Sequence, residues 1–163
     1  MRIGTMFTGL VAIALAACSP QTATQTTAPT ADSVVSVHPV SGLEVVPLTV
    51  ISGQDRHDFR VEVARSVEQQ RQGLMYREEL GPNEGMIFPY KTPAMQGFWM
   101  RNTPLPLDII FVGPDGRIIN IAANTQPFSD QSVYSEGAAN LVLEIPGGRA
   151  AELGIEPGDL VEW

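Results

Sequence analysis

Apolar and β-branched residues gather along this chain in short runs: Leu43 to Ile51, Phe59 to Ala64, Ile109 to Val112, Ile118 to Ile121, Leu141 to Ile145 and Leu160 to Trp163. Each is bounded by Gly, Pro, Asn or Asp, and runs of that length between turn formers predict strands. Gly113-Pro114-Asp115-Gly116 separates two of them and predicts a hairpin. Helical periodicity is scarcer. Ser66 followed by Gln69 has the form of a capping box, and Val67, Arg71 and Leu74 fall near one face of a helix over Val67 to Tyr76 that ends around Gly73. A second short helix is predicted over Arg149 to Leu153, stopped by Gly154. The alternation of strands and helices that builds parallel βαβ units is not visible. The expected fold class is therefore α+β, mainly β: a compact antiparallel sheet or partly closed barrel with one or two short helices.

The N-terminal end follows a different pattern. One cation, Arg2, precedes an uncharged stretch from Ile3 to Ala17, which reaches the chain's single cysteine within Leu15-Ala16-Ala17-Cys18. A spanning helix needs about 20 apolar residues, and this stretch contains Gly4, Thr5, Thr8 and Gly9 before giving way to Ser19-Pro20. It reads as a secretory signal over 1–17, and Leu-Ala-Ala-Cys resembles a lipobox, in which the thiol is alkylated by a diacylglyceryl donor before cleavage. The expectation is a lipoprotein anchored through Cys18, facing the periplasm and, with Ser19 rather than aspartate next, placed by default in the outer membrane. The alternative is an ordinary secreted protein with an incidental cysteine. Residues 18–36 are rich in Ser, Thr, Gln, Ala and Pro with one charge, Asp32, and no aromatic ring. Such a segment cannot bury enough apolar surface to order itself; as a tether its reach is roughly 25 Å. The remainder, 37–163, has the length of one domain.

Composition narrows the chemistry. With Cys18 lipidated, disulfides, cysteine metal ligands and cysteine nucleophiles are excluded from the domain. Removing residues 1–17 leaves nine cations against eighteen anions, which argues against nucleic acid or anionic headgroups as partners of the domain. The two histidines, His38 at the end of the tether and His57 in the polar segment Asp55 to Asp58, read as solvated. No metal-ligand spacing, phosphate loop, nucleophile elbow or dinucleotide fingerprint is present, so no cofactor and no metal are expected. Methionines 75, 86, 95 and 100 are most simply core packing.

The densest unusual sequence is Gly97-Phe98-Trp99-Met100-Arg101-Asn102-Thr103-Pro104-Leu105-Pro106-Leu107-Asp108-Ile109-Ile110-Phe111, preceded by Arg71-Gln72-Gly73-Leu74-Met75-Tyr76-Arg77 and Glu84-Gly85-Met86-Ile87-Phe88. With Val142-Leu143-Glu144-Ile145-Pro146-Gly147-Gly148 and Gly154-Ile155-Glu156-Pro157-Gly158-Asp159, it resembles the family known as domain of unknown function 192, over roughly Phe59 to Val161. The resemblance implies a compact β-rich fold and supplies no activity.

The residues themselves offer three readings. Phe98 and Trp99, adjacent in an extended segment, point to opposite faces, so one can join the core while the other borders a groove. Arg101 carries a planar five-donor fork, and with Arg77, Asn102 and Thr103 beside Trp99 it could hold a polar ligand such as a glycan, a peptidoglycan fragment or an envelope protein; this non-catalytic binding module is the leading reading. Asp108 and Glu144 could instead form the acid and base pair of a small envelope hydrolase, in which case one of them must sit in an open cleft with a perturbed pKa. In a third, purely structural reading, Arg101 pairs internally with Asp108 or Glu144, the two carboxylates balance Arg77 and Arg101, and Trp99 is core.

Overall fold

The computed structural model describes residues 36–163. In chain order its strands are β1 (Ser36–Val37), β2 (Glu44–Ser52), β3 (Asp55–Val63), β4 (Glu84–Ala94), β5 (Gly97–Phe98), β6 (Leu107–Val112), β7 (Ile118–Ala122), β8 (Val133–Tyr134), β9 (Ala139–Pro146) and β10 (Leu160–Glu162). Two short helices interrupt them, α1 (Val67–Gln72) between β3 and β4 and α2 (Arg149–Leu153) after β9. The main sheet has eight strands in the order β1-β2-β3-β4-β9-β6-β7, with β10 also paired to β2, while β5 and β8 form a separate two-stranded sheet. The mainly β class is as expected, and of the two forms foreseen the open sheet is the one observed. The main sheet does not close into a barrel: β10 meets the chain before β7 only at the isolated bridge Arg117 to Leu160.

Two features depart from the sequence reading. First, β3 and β4 are parallel, with Val61 opposite Gly85 and Val63 opposite Ile87, so the sheet is mixed and contains one crossover, made by α1. Second, β4 is an eleven-residue strand that the apolar pattern did not mark. Its inner half, Gly85 to Phe88, is buried, whereas the half from Lys91 to Ala94 is exposed and carries two prolines at Pro89 and Pro93. A strand built of one buried and one solvated half, punctuated by proline, has no single period. Asp55 to Asp58, expected as loop, instead open β3, because Gly53 at φ +59° turns the β2–β3 hairpin one residue after Ser52.

The local signals held where they were strongest. Ser66 Oγ accepts from Gln69 N while the Gln69 side chain accepts from the Ser66 backbone N–H, the reciprocal capping box expected of α1, and Gly73 forms its C-cap. Val112 and Ile118 face one another across the Gly113 to Gly116 turn.

The sheet carries apolar residues on both faces. One core gathers Leu48, Val50, Phe59, Val61, Val63, Ile87, Ile110, Val112, Leu143 and Ile145 with α2. The other gathers Leu74, Met86, Phe88, Met100, Leu107, Ile109, Phe111 and Val142. All six residues of β6 are buried, which is why Ile109 to Val112 reads as an unbroken run rather than an alternation. Strand spacing leaves no room for a side chain at Gly85, where a Cβ would collide with the Glu144 carbonyl oxygen of β9. Gly85→Ala is therefore expected to destabilise the fold by more than about 2 kcal/mol in urea unfolding. A loss below about 0.5 kcal/mol would mean that β4 and β9 separate freely enough to admit a methyl group.

Candidate functional site

Strand register decides which polar residues can meet. Glu62 stands opposite Met86, Met86 opposite Glu144, and Glu144 opposite Ile109. Registered partners project from the same face, so Glu62, Met86, Glu144 and Ile109 form one row across β3, β4, β9 and β6, on the face of the Phe88–Phe111 core. Asp108 is opposite Ile145 and projects from the other face. The two carboxylates considered as an acid and base pair therefore lie on opposite sides of the sheet and cannot flank one bond.

Asp108 is fully buried and saturated. Its Oδ1 accepts from Asn124 N at 2.7 Å and Gly148 N at 2.9 Å, and its Oδ2 accepts from Ala150 N at 2.7 Å. It thus stitches the loop after β7 to the start of α2, a backbone-organising role that Gly147 permits by letting Asn124 and Pro106 approach closely and Gly148 by turning the chain at φ +84°.

The two buried glutamates of the row have different surroundings. Glu62 is bridged by Arg77, Nη1 to Oε1 at 2.9 Å and Nη2 to Oε2 at 3.0 Å, with the Ser41 hydroxyl donating to it and the His38 ring 3.7 Å away. Arg77 is itself largely buried, so it belongs to an ion pair that fastens the β1–β2 segment, and it balances neither Asp108 nor Glu144. His38 is part of that network rather than solvated. His57 lies within β3, with Nε2 buried and lacking a partner.

Glu144 has no such compensation. Neither a hydrogen bond nor a cation moderates it, and desolvation alone pushes its carboxyl up to about 8. Glu144 belongs to the lining of a cleft of about 440 Å³, whose walls come from α1 (Gln70, Arg71), β4 (Phe88, Tyr90), the β5–β8 pair (Phe98, Tyr134) and Trp99 and Thr103 of the turn after β5. Phe98 stacks edge-on against Phe88 at 5.0 Å and Phe111 at 6.1 Å, while its neighbour Trp99 remains 42% exposed, the division expected of adjacent extended residues. Burial, and next the nearby Glu144 charge, push the Tyr90 hydroxyl up to about 12, so it stays a neutral donor and acceptor.

The remaining candidates surround the mouth. Arg101 lies over the Trp99 ring at 4.0 Å and donates to Asp130 at 2.6 Å; it contacts neither Asp108 nor Glu144. Asn102 sits at φ +55°, its carbonyl accepting from Tyr76 N at 2.7 Å, and Thr103 is buried, its carbonyl accepting from Phe128 N at 3.1 Å. Tyr76 at φ +61° and Phe128 at φ +60° expose most of their rings. Positive φ is unfavourable for bulky residues, so the backbone is strained at both positions. Of the methionines, Met86 and Met100 are core, but Met95 is exposed.

Trp99 and Thr103, singled out as ligand-binding candidates, and Glu144, singled out only as a catalytic partner for Asp108, line one cleft, whose Gln70, Arg71, Tyr90 and Tyr134 were not named as site residues. Tyr90 could have been found: once 84–94 is read as a strand, Met86, Phe88 and Tyr90 alternate onto one face. Cys18 lies outside the described residues. Among those described, no cluster of three metal-binding side chains occurs and no helix is long and apolar enough to cross a membrane.

The unpaired carboxyl has a consequence for stability. Glu144 titrates near 4.5 when unfolded and near 8 when folded, so its neutral form is native and ionisation favours the unfolded chain. Its contribution is fully present below about pH 4.5 and is lost as pH rises through about 8, at about 1.4 kcal/mol per pH unit between them. Glu144→Gln is expected to remove that slope and to be more stable than the parent at pH 8 by several kcal/mol in urea unfolding. Parallel pH profiles for the two proteins would show that the carboxyl is solvated.

Comparison with known proteins follows the same boundaries. The model of the family domain of unknown function 192, described as "Uncharacterized ACR", matches residues 49–163. A crystal structure of a protein of unknown function from Novosphingobium aromaticivorans is 57% identical, with a TM-score of 0.77 over 78% of this chain and 91% of that one. A proposed transcription regulator from Sinorhizobium meliloti is 36% identical, with a TM-score of 0.72 over 74% of this chain and 94% of that one. No curated protein matches the chain. The matched region contains the whole row from Glu62 to Ile109 and every wall of the cleft: the chain belongs to the domain of unknown function 192 family.

Proposed function

We propose that this protein is an envelope-anchored binding module, lipidated at Cys18 and facing the periplasm from the outer membrane, whose cleft takes a polar ring-bearing ligand such as a glycan or peptidoglycan fragment. The observation that carries the reading is Glu144: a buried carboxyl without a partner, on the wall of an aromatic cleft. An uncompensated polar group in a core is destabilising, and a fold that keeps one at the end of an open cleft is arranged for a group that arrives from outside. The cleft volume of about 440 Å³ suits a small molecule or one or two sugar rings, since such sites run from about 300 to 1,000 Å³. Trp99, Phe98 and Tyr134 offer flat apolar surface, and Gln70, Thr103 and Tyr90 offer polar atoms among them. The formal net charge of −8 favours this class over a nucleic-acid partner. A hydrolase with paired carboxylates loses support because Asp108 is saturated on the opposite face.

Two measurements test the proposal. An N-acetylglucosamine tetramer titrated into the full chain is expected to shift the Trp99 indole N–H resonance saturably, and Trp99→Ala, at an exposed position, should weaken binding at least about tenfold while changing stability by less than about 0.5 kcal/mol. No shift at millimolar concentrations would reject a glycan as the ligand. Cys18→Ala is expected to move the protein from the membrane to the soluble envelope fraction; retention would reject the lipid anchor.

A further inference from the structure

We infer that the ligand of this cleft presents an organic ammonium group, seated among the aromatic rings with Glu144 as its counter-charge. The inference rests on reading the cleft as a ligand site and adds the charge the ligand must carry. Two buried glutamates share one row of the sheet. Glu62 has Arg77 on both its oxygens, whereas among the described residues no cation pairs with Glu144, and the Arg71 that lines the same cleft is exposed in the last turn of α1. The missing partner is of the same sign as the one Glu62 already has.

The walls point the same way. Phe88, Tyr90, Phe98, Trp99 and Tyr134 all line the cavity, and the negative faces of such rings attract cations. Trp99 already does so within the molecule, receiving the Arg101 guanidinium at 4.0 Å. A metal ion is a poor fit, because among the described residues no cluster of three His, Cys, Asp or Glu side chains includes Glu144 and hard cations need several oxygen ligands. An anion fits no better: the one cationic side chain lining the cleft is Arg71, exposed in the last turn of α1.

Binding of such a group is linked to a proton. The ionisable side chains that line the cleft along with Glu144 are Tyr90 from β4, Arg71 from α1 and Tyr134 from β8, and apolar Ile109 is its registered partner on β6. With Glu144 raised to about 8, the free carboxyl is mostly neutral at pH 7, and an arriving ammonium displaces its proton to solvent. Affinity must then rise with pH until Glu144 ionises by itself.

Choline, whose charge does not titrate, and its neutral isostere with tert-butyl in place of trimethylammonium provide the test, using the full chain and the Trp99 indole resonance. Choline is expected to bind with an affinity that rises close to tenfold per pH unit from about pH 6 and levels off above about 8. The isostere should bind more weakly and without pH dependence, and Glu144→Gln should weaken choline at least about tenfold and flatten its profile. Equal binding of the isostere, a flat profile for the parent, or indifference to Glu144→Gln overturns the inference. If the N-acetylglucosamine tetramer shifts Trp99 while choline does not, the cleft remains a ligand site and the ammonium is rejected; if neither does, both readings fall.

Discussion

Burial of the sheet on both faces is the constraint from which the rest follows. β4, β9 and β6 lie in the middle of the strand order, and the side chains of β9, β6 and the Gly85 to Phe88 half of β4 enter one core or the other. A polar group placed there must find a partner or destabilise the fold. Glu62 finds a guanidinium, and Asp108 finds three backbone N–H groups. Glu144 finds neither, and it lines the aromatic cleft. Against this background an unpaired carboxyl is informative in a way it would not be on a surface strand, where water satisfies every such group.

How much of this was legible in the residues depends on how many neighbours decide each feature. The capping box at Ser66 and the turn at Gly113 to Gly116 are settled within a few residues, and both formed as the sequence indicated. The unbroken run of β6 was recognisable as strand, but its burial on both faces became clear only with β9 and β7 beside it. β4 escaped notice because its outer half faces solvent through Lys91 to Ala94 and interrupts the apolar run with Pro89 and Pro93. The parallel pairing of β3 with β4 depends on the long connection from Val63 to Glu84 that carries α1, a feature with no signature once β4 itself is unread.

The candidate site was legible to the same degree. Trp99, Thr103 and Glu144 were singled out for their chemistry, and the fold does bring them to one cleft. Arg77 and Asp108 were singled out on equal grounds and proved to be internal partners of Glu62 and of the α2 backbone. What separates the two groups is register: Asp108 and Glu144 differ by one position across the β6–β9 pair, and one position is the difference between faces. No property of either residue in isolation carries that information.

The edge of β2 shows what this topology asks of a chain that emerges N-terminus first. Its outer side is covered over Glu44 and Val45 by β1, which comes just before it, and over Thr49 to Ile51 by β10, the last strand to be made. Until Leu160 to Glu162 are available, that half of β2 offers unpaired amides and carbonyls beside Val50, a row able to recruit any neighbouring strand. Completion of the native sheet must therefore wait for Leu160 to Glu162, and the chain made up to that point is kept open by its own connectivity. Shortening the C-terminus by four residues would leave a nascent-like edge permanently exposed, turning a folding intermediate into an endpoint.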